Sequence, residues 1–147
     1  MALDMAKYRR IFLEEGLDHL GEISHALFDL EKEMASSEAI DTLFRMAHSL
    51  KSMAASLGYD TIAELAHRME DRMEGIRAGG RVRGHQELAL LFRSLEMLEA
   101  MLAAVGNEQA VPSADEDLLR CLAEDPPSER ASEDDVPNRV GGEPKKA

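Results

Sequence analysis

The sequence predicts an all-α protein: an antiparallel up-and-down four-helix bundle with a short fifth helix at its C-terminal end. Three observations lead there. Apolar residues recur at alternating steps of three and four through four long segments, the spacing that lines one face of an α-helix. Hydrophobic residues make up 44% of the chain and are mostly Leu, Ala and Met, aromatics only 4%, and few Val or Thr residues are present to favour sheet. Each stripe covers one face only, so no helix can bury it alone. Four such helices joined by short loops satisfy one another as an antiparallel bundle.

The first stripe runs through Leu20, Ile23, Leu27, Leu30 and Met34, with Tyr8 and Phe12 extending it upstream. The run MASSEA breaks it, and Ser36 or Ser37 can cap the helix that follows. The second stripe is Ile40, Leu43, Phe44, Ala47, Leu50, Ala54 and Leu57, with Gly58 placed to stop it. The third is Ile62, Leu65, Ala66, Met69, Met73 and Ile76, with Thr61 and Glu64 spaced as a capping box. After AGGRVRG comes the fourth: Leu88, Leu91, Leu95, Leu98, Leu102 and Val105. A short fifth helix is expected at Ala114 to Glu124, where Leu118, Leu119 and Leu122 can lie on the bundle. The helical domain is therefore placed at residues 1–124. The Pro-, Ser- and acid-rich residues 125–147 lack periodicity and are expected to be a disordered linker or tail.

The net charge of −12 speaks against a nucleic-acid surface, since phosphates would be repelled. No stretch approaches the roughly 20 apolar residues that cross a bilayer, and the N-terminal run MALDMAKYRRIFLEEG lacks the apolar centre of a signal peptide. A single cysteine, Cys121, cannot form an internal disulfide and suits a reducing cytoplasm.

The chemistry-bearing residues lie beside the core. Successive helical residues turn by about 100°. On the second helix His48 falls roughly 130° from the apolar centre and Lys51 roughly 70°. His48, Lys51, Ser52 and Ala55 follow i, i+3, i+4, i+7 and form a strip of their own. The third helix carries a second charged strip of His67, Glu70, Asp71 and Glu74, with Glu70 about 80° from its apolar centre. If the two helices are antiparallel about Gly58, residues equidistant from that turn face each other. His48 stands ten before it, and His67 and Glu70 nine and twelve after it, near one level. A carboxylate beside a histidine accepts the Nδ1 hydrogen and leaves Nε2 with an outward lone pair, a competent nucleophile at neutral pH. Lys51 one turn away makes a phosphoryl group the fitting electrophile, and small Ser52 and Ala55 leave room for a partner.

His48-Ser49-Leu50-Lys51 with Ala54 and Gly58 resembles the HxxKxxxxxxG signature of histidine-containing phosphotransfer (HPt) domains. The nearer resemblance is to the N-terminal phosphoacceptor domain of the chemotaxis histidine kinase CheA, where an FRxAHSLK-type segment precedes a helix close to LAHxMED, here Leu65 to Asp71. It covers roughly residues 5 to 124. The resemblance implies that His48 is phosphorylated on Nε2 by the ATP-binding domain of a histidine kinase, in two-component chemotaxis signalling. The phosphoryl group then passes to an aspartate of a CheY-like response regulator. Glu70 would hold the Nδ1 hydrogen, Lys51 would support the phosphate, and His67 would belong to the surrounding hydrogen-bond network. Ser52 stands where family members often have Gly, which implies altered partner preference. The chain itself is expected to bind no cofactor. ATP would sit on the kinase region and Mg²⁺ on the regulator, because AGGRVRG lacks the pattern of a phosphate-cradling loop. The chain is then either a kinase fragment, which the CheA-like details favour, or a freestanding phosphotransfer protein.

Two other readings compete. Glu22-x-x-His25 and Glu64-x-x-His67 match the Glu-x-x-His pair of metal-binding four-helix bundles, but both fall on faces away from the apolar stripes. A non-catalytic helical interaction module would leave His48 inert. His19, His25 and His85 read as surface residues, the nine Met as packing, and Cys121 as a small apolar group.

Overall fold

The computed structural model describes residues 4–124. Residues 125–147, expected to be a linker or tail, lie outside the described residues. Five helices follow in order: α1 (Met5–Lys32), α2 (Ser37–Leu57), α3 (Asp60–Gly79), α4 (His85–Gly106) and α5 (Glu116–Ala123). Helix α1 lies between α2 and α4, and α2 packs along the length of α3. Helices α3 and α4 touch less closely than the other neighbours in the bundle, and α5 packs against both of them.

The stripes define the core. Leu20, Ile23, Leu27 and Leu30 of α1 meet Ile40, Leu43, Ala47, Leu50 and Ala54 of α2, with every third-stripe residue from Ile62 to Ile76 fully buried. Leu91, Leu98 and Leu102 of α4 close the interior, and Leu118 and Leu122 bring α5 onto it. Around 2 kcal/mol per buried Leu or Ile is gained this way, so the shared interior rather than helix propensity holds the bundle. The upstream end of the first stripe is Phe12; Tyr8, expected to extend it, is 42% exposed. Met34 lies beyond α1 in the turn, half-buried, and its carbonyl accepts a hydrogen bond from Val82 N–H at 2.9 Å. That bond ties the α1–α2 and α3–α4 loops together at one end of the bundle.

The termini follow local chemistry. Ser36 is the cap of α2, its Oγ accepting from Ala39 N–H at 3.2 Å. Gly58 ends α2 with φ of 82°, left-handed backbone in which a Cβ is strained. Thr61 and Glu64 do not form the expected capping box. Helix α3 begins at Asp60, so its cap is Tyr59, which makes no side-chain cap bond. Tyr59 instead packs its ring on Phe12, with centroids 5.0 Å apart. Helix α5 is shorter than the expected 114–124, because Asp115 caps it and only Glu116 to Ala123 are helical.

Candidate functional site

The α2–α3 hairpin turns at Gly58 and runs back on itself, so boundary residues of the two helices meet across its outer groove. His48 of α2 is exposed, its side chain 55% accessible, while Glu70 of α3 is 11% accessible at the bottom of the groove. His48 Nδ1 and Glu70 Oε2 are 2.5 Å apart. With Glu70 ionised, the nitrogen is the donor and Nδ1 carries a hydrogen, which turns Nε2 toward the open side of the groove. The other oxygen of the same carboxylate, Oε1, is 2.6 Å from Lys51 Nζ. Burial pulls the Glu70 carboxyl upward, but the Lys51 ammonium and the His48 imidazole outweigh it and hold its pKa below the ordinary 4.5. Glu70 is thus a buried anion shared by two partners on α2.

His48, Ser52 and Ala55 are exposed on one strip, with Lys51 half-buried beside them at the groove. Ser52 carbonyl accepts from Ser56 Oγ at 2.9 Å, so that serine turns back onto its own helix. One turn toward the N-terminal end of α2, the Arg77 guanidinium sits 4.4 Å from the centre of the Phe44 ring and 3.7 Å from Asp41. This second tie between α2 and α3 was not part of the sequence reading; a basic residue and an aromatic at boundary positions of two neighbouring helices are its only signal.

His67 is in a different place from the one expected of it. Among the described residues it makes no hydrogen bond to His48 or Glu70; its Nε2 lies 3.6 Å from Asp71 Oδ2 one turn along the same helix. It is at the right level, but on the outer face of α3, turned away from α2. Lys51, expected to meet an incoming phosphate, is engaged with Glu70 instead. Lys51 stands seven before Gly58 and Glu70 twelve after it, five residues out of level, and the long lysine stem spans the difference.

The Glu-x-x-His pairs face outward. Glu22, His25, Glu64 and His67 are all exposed, and among the described residues no three His, Cys, Asp or Glu side chains converge as a metal site. Among the same residues no helix is long and apolar enough to cross a membrane.

The sequence that folds into this bundle is similar to parts of known proteins. The chain is 31% identical over 114 residues to the chemotaxis protein CheA of Halobacterium salinarum, a match covering 78% of this chain and 17% of that protein. It is 34% identical over 103 residues to the chemotaxis protein CheA of Bacillus subtilis, covering 70% of this chain and 15% of the relative. To CheA of Salmonella typhimurium it is 25% identical over 114 residues, covering 78% and 17%. The chain therefore spans less than a fifth of the length of these relatives. The Hpt domain pattern matches residues 7–108, from the start of α1 to just past the end of α4. The chain belongs to the histidine-containing phosphotransfer, or Hpt, domain family.

Proposed function

We propose that this chain is a phosphoryl carrier of two-component signalling of the chemotaxis type, with His48 as acceptor and donor. The observation that supports it most directly is the 2.5 Å contact between His48 Nδ1 and Glu70 beneath an otherwise open imidazole. In this reading Nε2 attacks the γ-phosphorus of ATP held by a histidine kinase domain, the P–N bond forms, and ADP leaves. Positive charge grows on the ring as the bond forms, and the fixed Glu70 carboxylate stabilises it without reorganising. The phosphoryl group then moves from Nε2 to an aspartate oxygen of a CheY-like response regulator, whose own bound Mg²⁺ neutralises the transferred oxygens. Imidazole returns to its starting tautomer. Lys51 holds Glu70 ionised in the resting state and, one turn from His48, is within side-chain reach of a phosphate on Nε2. His67 lies beside Asp71 on the outer face of α3 rather than bonded to the acceptor, and Ser52 and Ala55 leave space for partner surfaces. Because ATP-dependent kinases and their regulators work in the cytoplasm, that is where the chain acts.

The test combines the full chain with the catalytic region of a chemotaxis-type histidine kinase, ATP and Mg²⁺. The expected product carries one phosphate that is acid-labile and alkali-stable, and His48→Gln carries none. A folded wild-type chain left unlabelled by several such kinases would instead make His48 inert and the bundle a plain interaction module.

A further inference from the structure

Helix α5 is eight residues long, too short to persist alone in water. Leu118 and Leu122 are buried against the bundle, but the C-terminal half of its hold is polar. Arg72 of α3, its side chain only 5% exposed, reaches to the end of α5. Its Nη1 is 3.0 Å from the carbonyl oxygen of Cys121, 3.0 Å from that of Leu122 and 2.6 Å from that of Glu124. Its Nε donates to Glu87 Oε2 at 2.8 Å. Glu87, in the first turn of α4 and 1% exposed, also accepts from Arg83 N–H at 2.8 Å and from Arg83 Nη2 at 2.9 Å. The last carbonyls of a helix carry its negative end and lack partners of their own. Here a cation from another helix supplies them, and its charge is balanced within the groove by Glu87.

Two further facts bear on what this arrangement is for. Helices α3 and α4 are the least closely packed neighbours of the bundle, and α5 lies against both. The match to the Hpt family ends at residue 108, before α5 begins. The family pattern thus ends before the fifth helix, while the Arg72 and Glu87 that secure it lie inside the matched residues.

We infer that α5 is a separately opening latch, seated on α3 and α4 and locked by the Arg72 guanidinium at the carbonyl oxygens of its last turn. Closed, it fastens the chain at Glu124 to α3, the helix that also carries Glu70. Open, it bares the seat of Leu118 and Leu122 on α3 and α4 and leaves Arg72 paired only with Glu87. The closed latch also forms one wall of a cleft of about 280 Å³, in which Leu122 and Glu124 face His67 and Arg68. The α5 terminus therefore stands beside the outer face of α3, where His67 lies. The inference does not depend on phosphoryl transfer.

The chain carries its own probe. Cys121 is its single cysteine, half-buried on α5 against the core. Alkylation of this thiol by iodoacetamide in the full chain reads latch opening, and hydrogen exchange of α1 and α2 amides reads the bundle. Arg72→Ala is expected to speed alkylation about tenfold or more, since charge-assisted hydrogen bonds are lost, with α1 and α2 protection unchanged. Arg72→Lys, which keeps the charge but not the fork, is expected to fall between. Leu118→Ala with Leu122→Ala keeps Arg72 and is expected to open the latch as well, which covers the case in which Arg72→Ala fails to fold. The inference is overturned if wild-type Cys121 reacts as fast as an unfolded thiol. It is equally overturned if the leucine variant reacts at the wild-type rate, or if Cys121 and the core amides become accessible with one shared denaturant dependence.

Discussion

Lys51 and His48 sit on opposite oxygens of Glu70: Lys51 Nζ is 2.6 Å from Oε1 and His48 Nδ1 is 2.5 Å from Oε2. The carboxylate is therefore neither a free anion nor an exclusive partner of the imidazole. Lysine keeps it charged inside the groove, and the charge fixes which ring nitrogen holds the hydrogen. Nε2 is left on the open side of the ring, where a partner can reach it.

Removing that carboxylate tests the arrangement. Glu70→Ala is expected to slow phosphorylation of His48 by about tenfold, the usual scale for losing an orienting partner of a functional histidine. The bundle stays folded, since Lys51 is half-exposed and can turn to water. Initial phosphorylation rates with a kinase domain, alongside thermal unfolding by circular dichroism, read both outcomes. Cooperative unfolding of Glu70→Ala at room temperature would make Glu70 a structural residue.

The same carboxyl predicts a pH dependence. Its pKa is lower in the folded chain than the ordinary 4.5, so the unfolded state binds the proton more readily. The stabilisation is fully present above pH 4.5 and is lost as pH falls through the depressed folded value. Urea unfolding of wild type and Glu70→Gln from pH 6 downward should show the wild type losing more stability below pH 4.5. Parallel curves would remove Glu70 as a source of acid sensitivity.

Glu87 is the most deeply buried charged residue among the described residues. It is 1% exposed and accepts from both Arg72 and Arg83. Glu87→Ala leaves the Arg72 guanidinium buried without its counter-charge and is expected to destabilise the fold by about 3 kcal/mol. Denaturant midpoints at constant slope measure it. A loss below about 1 kcal/mol would show that water reaches Arg72 freely.

Gly58 ends α2 with φ of 82°, and a Cβ built there meets nothing within 4 Å. Gly58→Ala is therefore penalised for backbone conformation alone, by about 1 kcal/mol. Equilibrium urea unfolding gives the value, and an unchanged midpoint would mean that the turn relaxes. The consequence matters beyond stability, because this turn sets the level at which His48 meets Glu70.

The sequence by itself determined the bundle and half of the site. Helical periodicity is a local property, repeating every 3.6 residues, so the four stripes, the Ser36 cap, the Gly58 stop and the separation of His48 from the core are all legible without coordinates. So was the pairing of His48 with Glu70, because a short turn makes residues equidistant from it neighbours. What crosses between helices at the scale of a single side chain was not legible. The sequence did not show that Lys51 rests on Glu70 beside His48, nor that His67 lies 3.6 Å from Asp71 on its own helix. Helix α3 starts at Asp60 without a side-chain cap, its Tyr59 ring packed on Phe12, a contact between distant residues that local capping rules do not reveal. Arg72, two residues past Glu70, carries no motif that singles it out in the sequence. Only the packing of α5 onto α3 and α4 buries it, and only burial turns its five donors from solvated groups into the lock of the last helix.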